Sequence, residues 1–289
     1  MPKVEILGLA PGLPRTDLRP GPAGDAAASR QLLDALFPGR IGAALAPADL
    51  LTASYPEYGR VYAATTVSTA LVCGQDLREL TDLESAVAPV AAGRTAVRLQ
   101  VNGAADSVAL EILGPGGLAV RELMLVTDEG VIVDEGERLA FEQPFWSGDH
   151  DPDGAYAAVN GPEMPFDVID FGQEAVRTLF GFVVDAHTDP RPGDLDARQV
   201  LLHGFEIAAD SSHPSDMAPL PSDGVVPDEP VDPADLPAPR PLRGGGVSSD
   251  AGGSEGGPGS LPPRVVPPVA VSPAAGGSWW RRWWDRLFG

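Results

Sequence analysis

Along the first 210 residues, hydrophobic and polar positions predict a strand-rich body with few helices. Residues 4–9 form a short apolar run suited to a buried strand, and a Pro/Gly-rich loop over 11–24 follows. Asp25 can cap a helix over 26–37, whose Leu32, Leu33, Leu36 and Phe37 share one side, and Pro38-Gly39 stops it. Residues 60–66 and 69–73 read as strands, and a short helix follows over 82–90. Four more strand-like runs, 95–101, 107–113, 118–126 and 131–134, are separated by Asn102-Gly103, Gly114-Pro115-Gly116-Gly117 and Asp128-Glu129-Gly130. These spacers have hairpin chemistry, and such short links predict antiparallel neighbours. GQEAVRTLFGFVVD (172–185) is the strongest helical pattern of the body, and QVLLHGFEI (199–207) reads as a closing strand. The expected fold class is α+β, with a mainly antiparallel sheet of about six to eight strands covered by two or three helices. A disordered tail and a short terminal amphipathic helix complete it.

Composition changes this picture at its C-terminal end. Residues 1–210 are of globular character and are expected to form one α+β domain. Residues 211–277 contain 15 Pro and 11 Gly, leaving too little apolar surface to offset ordering entropy, so they predict a disordered acidic linker. Residues 278–289, SWWRRWWDRLFG, hold four of the five tryptophans. At about 100° per residue, Trp279, Trp280, Trp283, Trp284, Leu287 and Phe288 cover one half of a helix. Arg281, Arg282, Asp285 and Arg286 take the other half.

The formal net charge is −21, of which the linker carries −5 and the terminal segment +2, leaving −18 on the body. An acidic body argues against nucleic acid, whose affinity is built on Lys and Arg. No apolar run reaches the length of a membrane span, and the N-terminus lacks a secretory pattern, so a cytoplasmic location is expected. Cys73, the single cysteine, excludes internal disulfides and reads as a buried strand residue. The preponderance of Ala, Gly, Pro and Arg suggests a GC-rich bacterial genome.

FEQPFWSGDH (141–150), MPFDVIDFGQEAVRTLFGFVVD (164–185) and QVLLHGFEI (199–207) resemble segments of an uncharacterised bacterial domain-of-unknown-function family. The resemblance spans about residues 1–208, is strongest over 141–185, and marks the chain as a divergent member. Over 95–125 the family's strands usually carry His and aromatic residues, which are not found here. The resemblance implies a domain boundary and no activity.

Candidate chemistry is sparse. Asp149, Asp151 and Asp153, followed by Gly154, match the opening of a calcium loop, but its twelfth position is Asn160 instead of a bidentate Glu. A solvated acidic turn is the plainer reading, Ca2+ the alternative, and no other cofactor is expected. Trp146, His150 and Phe166 are candidate lining residues of a ligand pocket, against a core-pinning role for the aromatics. No zinc-hydrolase spacing, nucleophile elbow or phosphate-binding loop occurs, so no catalytic residue is assigned and enzymatic status stays open.

The expected function is a non-catalytic binding or localisation protein, with residues 278–289 attaching it to an anionic membrane surface at the inner face or to a protein groove. Folding back on its own domain is the third destination considered. The alternative function is an enzyme or ligand/metal-binding domain using the acidic loop 146–166. Half-burying the terminal aromatics removes about 500 Å² from water, a gain of roughly 12 kcal/mol. Ordering about eleven residues costs ~1–2 kcal/mol each. The near-cancellation leaves Arg281, Arg282 and Arg286, each worth about 1 kcal/mol near anionic lipid, to set the preference.

Overall fold

In the computed structural model, residues 3–13, 17–91, 93–150, 164–184 and 190–208 are described. Among these residues ten strands form one mixed sheet: β1 (Lys3–Ala10), β2 (Gly21–Pro22), β3 (Ile41–Asp49), β4 (Arg60–Thr65), β5 (Ala70–Cys73), β6 (Thr95–Asn102), β7 (Ser107–Leu113), β8 (Ala119–Val126), β9 (Gly130–Gly136) and β10 (Val200–Ile207). In space they run β2-β10-β4-β5-β1-β6-β7-β8-β9, with β3 also paired to β10. β2 and β10 pair in parallel, Val200 opposite Gly21. β1 pairs antiparallel with β5 and with β6, and the hairpins carry the antiparallel ladder outward from β6 to β9.

The sheet is larger than the six to eight strands expected, and it is mixed. The additional strands have a physical reason. β3 reads IGAALAPAD, mostly small and exposed residues with a proline, so it shows no period-two alternation. It is a strand because β10 offers it a backbone ladder from Leu201↔Asp49 to Ile207↔Ile41.

Helices cover both faces: α1 (Ala26–Leu36), α2 (Leu50–Ala53), α3 (Leu83–Ala91), α4 (Gln143–Ser147) and α5 (Val168–Phe180). On the first face, Ile6, Leu99, Val101, Val108, Leu110 and Leu123 pack with Phe171, Ala175, Val176 and Leu179 of α5. On the second, Leu7, Leu9, Val72, Ala96 and Leu113 meet Leu32, Leu33 and Leu36 of α1 and Leu83 and Val87 of α3. Alternate residues of β1 therefore enter different cores.

α5 is displaced toward the N-terminus from the 172–185 read off the sequence. Asp167 caps it, accepting from the amides of Ile169 at 2.7 Å and Asp170 at 3.1 Å. Gly181, at φ 83°, takes the left-handed conformation that ends the helix, its N–H donating to the Arg177 carbonyl. Phe182 then pairs with Leu195 instead of adding a helical turn.

A 3-10 segment, Gln75–Glu79, lies against β1 and is tied to the α1–β3 connection by Arg40, which meets Asp76 at 3.2 Å and Glu79 at 2.5 Å. Burial, with Glu79 adding to it, pushes the Asp76 carboxyl up from its ordinary 3.8 to about 6 against the pull of Arg40. A folded pKa above the unfolded one means that the protonated form favours folding. That contribution is complete below about pH 4 and is lost as pH rises through about 6. Asp76→Asn removes the titration. Its melting temperature relative to the parent should therefore rise between pH 4 and 7, by the equivalent of roughly 2–3 kcal/mol. A pH-independent difference in thermal denaturation would count against this assignment.

Candidate functional site

Of the polar clusters in the described residues, two bear on a candidate site. One surrounds α4, within the sequence that suggested a ligand loop. Arg121, on β8, is 0% exposed and forms a bidentate pair with Glu142, also 0% exposed: Nε to Oε1 at 3.0 Å and Nη2 to Oε2 at 2.7 Å. Its Nη1 reaches Asp134 at 2.7 Å and donates to the Glu135 carbonyl at 2.9 Å. Burial works to lower the Arg121 pKa, but Glu142 and Asp134 outweigh it and push it up. Burial likewise works to raise Asp134, and its bonds to Arg138 and Arg121 hold it below the usual range.

Glu142 also accepts from the Leu139 amide at 3.0 Å and from the Trp146 indole N–H at 3.4 Å. With these four donors the carboxylate is committed, so it locks the 139–147 segment to β8. Arg138 closes the outer side, its guanidinium 3.9 Å from the centroid of the Trp146 ring.

Trp146 and Phe166 are brought together here, rings edge-to-face at 5.1 Å, and Phe145 lies 5.3 Å from Phe166 and 5.1 Å from Phe171. Phe166 is fully buried within this cluster. His150 is exposed, with its ring over Phe145 at 3.8 Å. Asp149 is exposed as well and accepts from the Ser147 hydroxyl at 2.7 Å. Asp151 and Asp153 lie outside the described residues, as do the linker and all of Trp279, Trp280, Arg281, Arg282, Trp283, Trp284, Arg286, Leu287 and Phe288.

The other place is a cleft of about 570 Å³ between residues 17–28 and Thr65, Thr66 and Val67. Asp17 accepts from the hydroxyls of Thr66 at 2.8 Å, Ser68 at 2.6 Å and Thr69. Burial works to raise its pKa, and the three hydroxyls together hold it below the ordinary value. Gly24, at φ 77°, runs so close to β4 that a Cβ would overlap the Thr65 carbonyl. Asp25 is occupied as the α1 cap, accepting from the Ala28 amide at 2.8 Å. Leu18, Pro20, Pro22, Ala23 and Val67 make the rest of the wall largely apolar. Sequence reading missed this cleft because Asp17 and its hydroxyl partners lie about fifty residues apart, with no local motif between them.

His203, on β10, is half-buried with Nε2 3.4 Å from the Gly24 carbonyl. Cys73 is buried, and burial pushes its thiol up to about 12, far from thiolate chemistry at neutral pH. Among the described residues no helix is long and apolar enough to cross a membrane.

Comparison with curated proteins and with solved structures finds no match. A family model, Family of unknown function (DUF6928), matches residues 5–205, from β1 to all but the end of β10. The chain therefore belongs to this family of unknown function.

Proposed function

We propose that the chain is a non-catalytic localisation protein, a globular body attached through residues 278–289 to an anionic membrane surface. The observation that carries this reading is the complete segregation of four Trp, Leu287 and Phe288 from three Arg and one Asp on a helical projection. Indole and guanidinium both suit the headgroup region, where each has an apolar body and a polar tip. The linker supplies reach: 67 residues at about 5–6 Å times the square root of length give roughly 40–50 Å. A body of net charge −18 is repelled by the same surface, so attachment should be weak, reversible and sensitive to salt.

Co-sedimentation of the full chain with vesicles of phosphatidylglycerol and phosphatidylcholine tests this directly. At low ionic strength the full chain should pellet several-fold more than the 1–277 truncation, and 0.5 M salt should remove most of the difference. Equal pelleting of the two proteins would refute membrane attachment. Capture on a protein column that needs Trp283 and Trp284 but no lipid would transfer the segment to a protein groove.

A further inference from the structure

Among the described residues, helices cover the second sheet face along only part of its width. α1, α3 and the 3-10 segment lie over the Leu7, Leu9, Ala96 and Leu113 part. Strand register places Lys3, Glu5, Gln100, Ala109, Met124 and Val133 side by side on the remainder of that face. Here Met124 and Val126 form a separate apolar cluster with Ile132 and Val133, and β8 and β9 make their principal contacts with neighbouring strands. Yet Met124 is 0% exposed, Glu5 3%, Ala109 4% and Gln100 6%. Side chains on a bare sheet face are not buried to this degree. The Gln100 Oε1 atom is also buried without a hydrogen-bond partner among the described residues, which leaves an acceptor facing a missing donor.

Topology restricts what can cover this half. Residues 151–163 run between His150, whose ring lies tilted against Phe145, and Met164, so both ends belong to the first face. Residues 185–189 leave from Val184, in the first-face core. The chain beyond 208 starts beside the second face instead: the Ala208 carbonyl is bound by Arg40, which holds Asp76 and Glu79, and the Arg78 amide in the same 3-10 segment donates to Glu5.

We propose that residues 278–289 dock on this half-face in the unattached protein, so that the body and an anionic membrane compete for one segment. This regulation rests on reading 278–289 as the attachment segment. Large apolar side chains and cations occur together there, and each has a counterpart on the face. Met124, Val126, Val133 and Ala109 offer an apolar strip for the indoles. Carboxylates outnumber cations, with Glu5, Glu111, Glu122 and Glu135 against Lys3 and Arg98. An indole or guanidinium N–H is the donor type that Gln100 lacks. The linker's reach of roughly 40–50 Å exceeds the distance across such a sheet, so docking is intramolecular at millimolar effective concentration.

Cross-linking the full-length chain under oxidising conditions tests the docking. Cys73 is buried and stays silent, so Val133→Cys with Trp283→Cys reports on this face, and Val67→Cys with Trp283→Cys reports on an exposed position beside the cleft. The first pair should close within the monomer at least ten-fold faster than the second, and phosphatidylglycerol vesicles should slow it. Equal rates for the two pairs would overturn the proposal. Because the half-buried Val133 tolerates a small residue, failure to fold is not the expected confounder; Ile132→Cys, also half-buried, provides a second reporter in the same cluster. Selective closure without vesicle pelleting would uphold docking and reject membrane attachment. Pelleting without selective closure would do the reverse.

Discussion

Glu142→Ala is expected to lower the unfolding free energy by about 3–5 kcal/mol, because it strands Arg121 in the first-face core. Arg121 is 0% exposed, and removal of Glu142 leaves it, among the described residues, with Asp134, the Glu135 carbonyl and a long contact to the Glu122 carbonyl at 3.5 Å. The same substitution releases the Leu139 amide and the Trp146 indole, so the 139–147 segment loses its attachment to β8. Urea denaturation of the full chain followed by circular dichroism measures the loss. The double variant Arg121→Met/Glu142→Leu should recover a large share of it, since an apolar pair of similar volume removes both charges together. A single-variant loss below about 1 kcal/mol would show that the pair is hydrated and not the lock described.

Phe166→Ala is expected to cost about 3–5 kcal/mol, with the loss read from the same denaturation curves. Its ring is 0% exposed and touches Phe145, Trp146 and Phe171, so truncation opens a void at the junction of α4, α5 and the sheet. Trp146 emission should shift to the red as its edge-to-face partner disappears, which is cleanest to follow in the 1–277 truncation, where Trp146 is the only tryptophan. A residue whose main role is to line an open ligand pocket would give a much smaller loss. The two outcomes separate a core-pinning role for Phe166 from a lining role.

The most legible elements were those whose own residues carry the pattern. β1 and β6 to β9 follow apolar runs bounded by Gly, Asn and Asp turns, and Asp25 caps α1 as its position suggested. Elements created by a partner were not legible. β3 has few buried side chains to advertise it and depends on β10, whose sequence lies about 150 residues away. β2 is two residues long and exists through a parallel pairing with β10. The shift of α5 is of another kind: amphipathic spacing runs on through Phe182 and Val184, but the backbone conformation at Gly181 ends the helix first. The aromatic content of 141–171 was evident, whereas the Arg121–Glu142 pair was not, because its members are twenty-one positions apart with β9 between them. A charged residue in a strand gives no sign of facing inward until its partner is known.

The position of β10 bears on how the body acquires its structure. Among the described residues it is the last strand in sequence, yet in space it lies between β3 on one edge and β4 and the short β2 on the other. Until Val200–Ile207 arrives, that edge of β4 lacks its ladder and the earlier β3 has no partner strand among the described residues. Pairing at such sequence distance is slow, and open strand edges invite contact with other chains during the wait. β10 is therefore a keystone in time as well as in space: a chain that lacks it keeps an open edge on β4 and an unpaired β3, the kind of edge that invites contact with other chains.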